Sequence, residues 1–197
     1  MKKFLAIALA LVVLVSLAAC AGGDKVKPYE GDLSTVIGTM YETVRPEFMV
    51  LDSTPIDIND PWALNGYLGL GDPEAAEAAT DGNASASLIK EAYFSEPMMM
   101  AQAYSLVVAR AADADKVEEI KAQMFEGINT RKWVCVAADQ LRVVSYGDVI
   151  MLVMVSSELA PGLADSLVQA FASAVSASQV TGGDVLGELT GEILSRG

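Results

Sequence analysis

Residues able to carry enzyme chemistry are sparse in this chain. Its 197 residues include no histidine and two cysteines, Cys20 and Cys135. The absence of imidazole excludes Ser-His-Asp and Cys-His catalysis, histidine-ligated zinc and a histidine pH switch. The carboxylates Glu118, Glu119 and Asp148 fit a solvent-facing helix side or a turn, and no two are poised across a cleft for acid–base catalysis. We therefore expect no catalytic residues, no metal and no cofactor.

Cys135 lies in an apolar, strand-like run over residues 133–136. A reactive thiol needs exposed, cationic surroundings, whereas an apolar run favours a buried and inert cysteine. We expect Cys135 to be buried, and the nearby Arg131 and Lys132 leave a reactive thiol as the alternative.

Arg131, Lys132 and Trp133 form the one cluster of basic and aromatic residues in the sequence. Arg and Trp are frequent hot-spot residues of protein interfaces, so this cluster is the candidate partner contact. The alternative is a turn after a helix, in which the cations interact with the helix C-terminus and Trp133 enters the core.

The run Met98–Met100 and the segment Asp57–Asp60 are candidate metal motifs. Thioethers bind Cu(I), but neighbouring residues of an extended strand point to opposite faces, so we expect these methionines to fill the core. A calcium loop of the EF-hand type that starts at Asp57 needs Gly and Glu where the chain has Trp62 and Leu68. Helix capping and solvation are the favoured roles of these aspartates, and a calcium site of another type is the alternative.

The charge balance excludes one class of partner. Lys and Arg number 13 and Asp and Glu number 26, which gives a net charge of −13. Because nucleic-acid binding requires cations that replace the counterions of phosphate, we expect no nucleic-acid partner.

The first twenty residues have the organisation of a secretory leader. Lys2 and Lys3 precede an apolar run over residues 4–19, and the run ends at Leu17-Ala18-Ala19-Cys20. This run is shorter than the ~17–25 residues that span a bilayer, although an uncleaved anchor is the alternative. The ending resembles the lipobox of bacterial lipoproteins, whose cysteine is acylated and becomes the mature N-terminus. The resemblance implies a signal peptide over 1–20, acyl chains such as palmitate on Cys20, and a lipid-anchored protein at the extracytoplasmic face of the cell membrane.

Composition and periodicity divide the rest of the chain. We expect a flexible tether over 21–31, a single α+β domain over 32–180 and a C-terminal tail over 181–197 that forms a short helix. Helix starts are predicted from N-cap aspartates and from proline, at Asp32, Asp60, Asp72, Asp113 or Asp115, and Pro161.

Strands are predicted over 88–94, 104–110, 133–136, 141–146 and 149–155. The last of these is apolar on both faces, so we place it centrally. The order of elements favours a mainly antiparallel sheet of about four strands, preceded by N-terminal helices. Helices over 113–128 and 161–178 are expected to cover one face of this sheet.

A family resemblance is carried by Glu96-Pro97-Met98-Met99, Ala103–Val107, Arg131–Val136 and Gly147-Asp148-Val149. These segments resemble a family of small bacterial lipoproteins that carry a domain of unknown function and are common in anaerobic Gram-positive bacteria. The resemblance implies an α+β extracytoplasmic domain on a lipid anchor, and it implies no activity and no site residues. The chain departs from this pattern in segment 71–86 and in its C-terminal extension.

Together these features predict a non-enzymatic, membrane-anchored envelope protein that binds a protein partner through residues 131–133. The alternative is a small-molecule or metal receptor module associated with a transporter, although the chain is short for a two-lobed solute-binding protein. A hydrolase that uses carboxylates is a third hypothesis, and no motif supports it.

Overall fold

The computed structural model describes residues 27–79, 84–176 and 190–196, which form an α+β fold around one six-stranded antiparallel sheet. The strands are β1 (Thr54–Pro55), β2 (Ile89–Ser95), β3 (Tyr104–Ala111), β4 (Gln140–Tyr146), β5 (Val149–Val155) and β6 (Thr190–Arg196). The α-helices are α1 (Val36–Thr43), α2 (Pro61–Leu68), α3 (Pro73–Ala78), α4 (Val117–Gly127) and α5 (Leu163–Ser176). Across the sheet the order is β1-β2-β3-β5-β4-β6. The predicted α+β class with an antiparallel sheet is confirmed.

Aspartate side chains cap the helices at the predicted positions. The Asp60 carboxylate accepts a hydrogen bond from the Trp62 N–H at 2.9 Å, and Pro61 follows as the first helical residue. Asp32 and Asp72 accept equivalent bonds at the starts of their helical segments. Each bond satisfies an N–H that has no partner within the helix, which is why these residues begin helices.

Strand β5 lies in the interior of the sheet and is buried on both faces, as its apolar sequence predicts. Its odd-numbered residues 149–155 pack with α1 and α5, and its even-numbered residues 150–154 pack with α2 and α4. The prediction that both long helices cover one face is therefore wrong: α4 and α5 lie on opposite faces. Because β3 and β5 are apolar on both sides, each face requires a helical cover.

Two further expectations about strands and helices are corrected. Residues 133–136 form no strand, because they lie in a loop that is closed by the hydrogen bond from the Ala138 N–H to the Thr130 oxygen. The C-terminal tail forms strand β6 beside β4, where a short helix was predicted; residues 181–189 lie outside the described part of the chain. With β1 and β6 the sheet has more strands than the four expected.

The segment before α1 is bound to the sheet. The Tyr29 N–H donates to Asp148 at 2.8 Å, and the Arg110 guanidinium donates to the carbonyl oxygens of Tyr29 at 2.6 Å and Gly31 at 2.9 Å. The ring of Tyr29 is buried. The predicted tether therefore does not extend to residue 31, because residues 29–31 are held beside the β4–β5 turn.

Candidate functional site

Two segments pair at the end of β2 to form the edge of a pocket. The Leu51 N–H donates to the Glu96 oxygen at 2.8 Å, and the Met98 N–H donates to the Met49 oxygen at 3.3 Å. Val50 and Pro97 lie opposite each other in an isolated antiparallel bridge. This pairing fixes the position of the Glu96 side chain relative to the sheet.

The pocket has a volume of about 200 Å³. Helix α2, the β2–β3 connection and the loop after α4 supply its walls: Gly66, Tyr67, Glu96, Pro97, Met99, Met100, Lys132 and Trp133. A few convergent polar groups among apolar and aromatic walls are typical of a binding site.

Lys132 and Glu96 form an ion pair inside the pocket. Lys132 Nζ lies 2.5 Å from Glu96 Oε1, and the two side chains are 18% and 19% exposed. The ammonium also donates to the Gly66 oxygen at 3.1 Å and to Ser105 Oγ at 3.4 Å. Burial lowers the pKa of Lys132, and the Glu96 carboxylate opposes this effect.

Two aromatic rings complete the surroundings of the ammonium. Lys132 Nζ lies 4.8 Å from the centroid of the Tyr67 ring and 5.5 Å from that of Trp133, within the range of cation–π attraction. The Tyr67 ring stacks on Phe94 at 4.2 Å, which holds it in place. Burial, and secondarily the Glu96 charge, raise the pKa of the Tyr67 hydroxyl.

Exposed apolar side chains lie on the segments that form or adjoin the pocket walls. Met98, Met99 and Met100 are 62%, 63% and 66% exposed, so the prediction that they fill the core is wrong. They lie in a turn and not in a strand, so no sheet face buries them. We define the apolar rim as these three residues together with four others whose segments border the pocket: Met49, Leu51, Trp62 and Val134.

The apolar rim holds seven of the eight large hydrophobic side chains that are exposed in the described part of the chain. Trp62 belongs to it because it lies one helical turn before the pocket residue Gly66. Val134 is next to Trp133 in the same loop. Clustering of this kind is typical of an interaction site, whereas single exposed apolar residues are ordinary.

The structure separates the three residues of the predicted partner contact. Lys132 and Trp133 line the pocket, whereas Arg131 is exposed and does not. Trp133 is also part of the core, as the alternative interpretation predicts. Sequence reasoning missed Glu96 and Tyr67, because nothing local marks residues that meet Lys132 only after folding.

Cys135 is exposed, so the prediction of a buried thiol is wrong. Its backbone φ is 63°, in the left-handed region that residues with a Cβ seldom adopt. This conformation turns the chain between Trp133 and the start of β4, and the apolar sequence of the loop does not indicate it.

A second cavity of about 280 Å³ lies between the loop after α1 and the start of α5. It contains Arg45, but that guanidinium is paired with Asp52 at 3.2 Å and is half exposed. The pocket at Lys132 is the stronger candidate, because buried charges and aromatic rings converge there beneath exposed apolar residues.

Comparison with protein-family models, curated proteins and solved structures yields no match. The lipoprotein family resemblance therefore stays a prediction. In the described ranges, no helix has both the length and the hydropathy to cross a bilayer. Those ranges also contain no group of three or more acidic, cysteine or histidine residues arranged to hold a metal ion.

Proposed function

We propose that this chain is a lipid-anchored, extracytoplasmic protein whose folded domain binds a protein partner. The anchor is the proposed acylation of Cys20, which follows an apolar leader of signal-peptide type. The observation that carries the proposal of partner binding is the apolar rim around the Lys132 pocket.

Several physical properties of the rim suit a protein partner. Methionine side chains are flexible and polarisable, so they adapt to the surface of a partner. Trp62 adds a large contact area, and tryptophan is a frequent hot-spot residue. Leaving this apolar area in water is unfavourable, so a bound partner would stabilise it by burial.

In-cell photo-cross-linking tests the proposal. We expect a photoreactive amino acid in place of Met99 to capture one recurring protein, because Met99 lies on the rim and is mostly exposed. The matched control places the same group at Gln169, which is exposed on helix α5 across the sheet. Mass spectrometry identifies the cross-linked products.

A recurring partner at position 99 and not at 169 supports the proposal. Diffuse neighbours at both positions contradict it. The substitution leaves Lys132 and Glu96 intact, so a negative result does not arise from loss of the ion pair.

A second candidate function is reception of a small ligand, which the charged pair and aromatic rings that line a pocket of about 200 Å³ favour. A ligand-dependent rise in melting temperature that disappears in Lys132→Met would support this function. A ligand in this pocket would have to contact the ion pair, because Lys132 and Glu96 are the charged residues that line the pocket.

A further inference from the structure

The segment over residues 46–89, which carries three of the seven residues of the apolar rim, has only one sign of charge. Residues 46–89 contain eight Asp or Glu and no Lys or Arg. Six of these carboxylates are exposed and form no ion pair within the described residues: Glu47, Asp57, Asp60, Asp72, Glu74 and Glu77.

Some of these carboxylates directly contact the rim. Glu77 Oε1 accepts a hydrogen bond from the Trp62 indole at 2.6 Å, and Asp60 caps the helix turn that holds Trp62. Of the nearby cations, Lys132 is neutralised by Glu96 and Arg45 by Asp52. Among the described residues, Arg131 is the remaining exposed cation beside the pocket.

We infer that the apolar rim and pocket bind a cationic, amphipathic polypeptide segment. This inference rests on the proposed function and names the chemistry of its partner. The apolar side chains of the segment would contact the methionines and Trp62. Its Lys or Arg side chains would face the carboxylate of Asp60, which caps α2, and the carboxylates of α3. Complementary charge of this kind speeds association and rejects partners of the wrong sign.

The same charges disfavour other occupants of the surface. An anionic membrane surface would be repelled by the carboxylates beside Trp62. A second copy of this chain would bring the same acidic segment against itself, in a protein whose net charge is −13.

The test uses the full-length protein in detergent micelles and three labelled synthetic peptides of about 18 residues, or five helical turns. One peptide has an apolar face of Leu and a lysine-rich face, the second replaces Lys with Glu, and the third is a scrambled form of the first. We expect only the first peptide to bind, with a Kd that rises with ionic strength. Fluorescence anisotropy measures binding.

Charge variants localise the effect. We expect Glu77→Gln and Asp60→Asn each to weaken binding of the lysine peptide about two- to fivefold, as for other exposed ion pairs. Asn at position 60 preserves the N-cap, so the helix is retained. Glu42→Gln is the matched control, because Glu42 is exposed on α1, which packs on the face of the sheet opposite to α2.

Equal binding of the lysine and glutamate peptides, or no binding of any peptide, overturns the inference. So does equally tight binding of the scrambled peptide, since that would show attraction to charge alone. In each of these cases a recurring cross-link at Met99 would leave the proposed function standing. Absence of a recurring cross-link at Met99 would contradict the proposed function itself.

Discussion

At the scale of residues, Lys132 and Glu96 are the two charged side chains that line the pocket, and both are mostly buried. Burial of both charges costs solvation free energy, and their ion pair at 2.5 Å, the Gly66 carbonyl and two aromatic rings offset that cost. Glu96 Oε1 accepts no other hydrogen bond of standard geometry from the described residues. The pair therefore joins two walls of the pocket, the β2–β3 connection and the loop after α4.

Removal of one member of this pair is expected to destabilise the fold. Glu96→Gln leaves the Lys132 ammonium buried without a countercharge, and we expect the free energy of unfolding to fall by about 2–3 kcal/mol. This figure is below the range for fully buried pairs because both side chains are partly exposed. Denaturant unfolding measures the effect. The double variant with Lys132→Met should cost less than the sum of the single changes, and simple additivity would show that the two residues are not coupled.

At the scale of elements, helix α2 is positioned by a close contact with the end of α4. Gly69 ends α2 with a φ of 68°, and a Cβ on Gly127 would overlap the Gly69 carbonyl oxygen. The contact sets the distance between the two helices. It therefore also places Tyr67 and Gly66, which α2 contributes to the pocket.

Two glycine substitutions distinguish the effect of this close contact on stability from the effect of helix propensity. We expect Gly127→Ala to lower the free energy of unfolding by about 1–3 kcal/mol, because the backbones must move apart. Gly38→Ala in α1 is the control, because a Cβ at this position has no neighbouring atom within 4 Å. We expect this substitution to stabilise the folded protein by up to about 1 kcal/mol. Thermal or denaturant unfolding compares them, and a stabilising effect at both positions would disprove the close contact.

At the scale of the whole molecule, the N-terminal segment that is hydrogen-bonded to the sheet, residues 29–31, and the apolar rim lie at opposite ends of the sheet. Arg110 of β3 binds the segment around Tyr29, and Ser105 of the same strand contacts Lys132. Five residues of extended strand separate Arg110 and Ser105 by about 17 Å. If Cys20 carries the lipid, the chain enters the domain at the end away from the pocket, so the rim faces outward.

This orientation predicts different membrane proximity at two labelled positions. The test uses vesicles that contain the lipidated protein, with Cys135→Ser to remove the exposed thiol. A fluorophore is attached at Ala112→Cys in one variant and at Met99→Cys in another. We expect quenchers in the lipid headgroups to quench the fluorophore at position 112 more strongly than the fluorophore at position 99. Ala112 is exposed and follows β3, at the end of the sheet where residues 29–31 are bound. Unlipidated Cys20→Ser protein should show no quenching at either site, and equal quenching in the lipidated protein would contradict the orientation.

Local sequence patterns were sufficient for much of this fold. The capping aspartates at 32, 60 and 72, the two-sided apolar strand β5 and the β4–β5 turn follow from interactions that span a few residues, so they were predictable. The absence of histidine and the acidic charge are properties of composition, and they limit the chemistry open to the chain whatever its fold.

Tertiary structure alone decided the candidate site. Lys132 meets Glu96 and Tyr67 only because the loop after α4 packs against α2 and the end of β2. The exposure of Met98–Met100 and of Cys135 likewise depends on which segments cover them, and both apolar runs were expected to be buried. Strand β6 forms where helical periodicity was expected, because pairing with β4 outweighs a weak local preference. Caps and periodicity act between near neighbours in the sequence, whereas burial and ion pairing join distant residues, and only the folded chain brings those together.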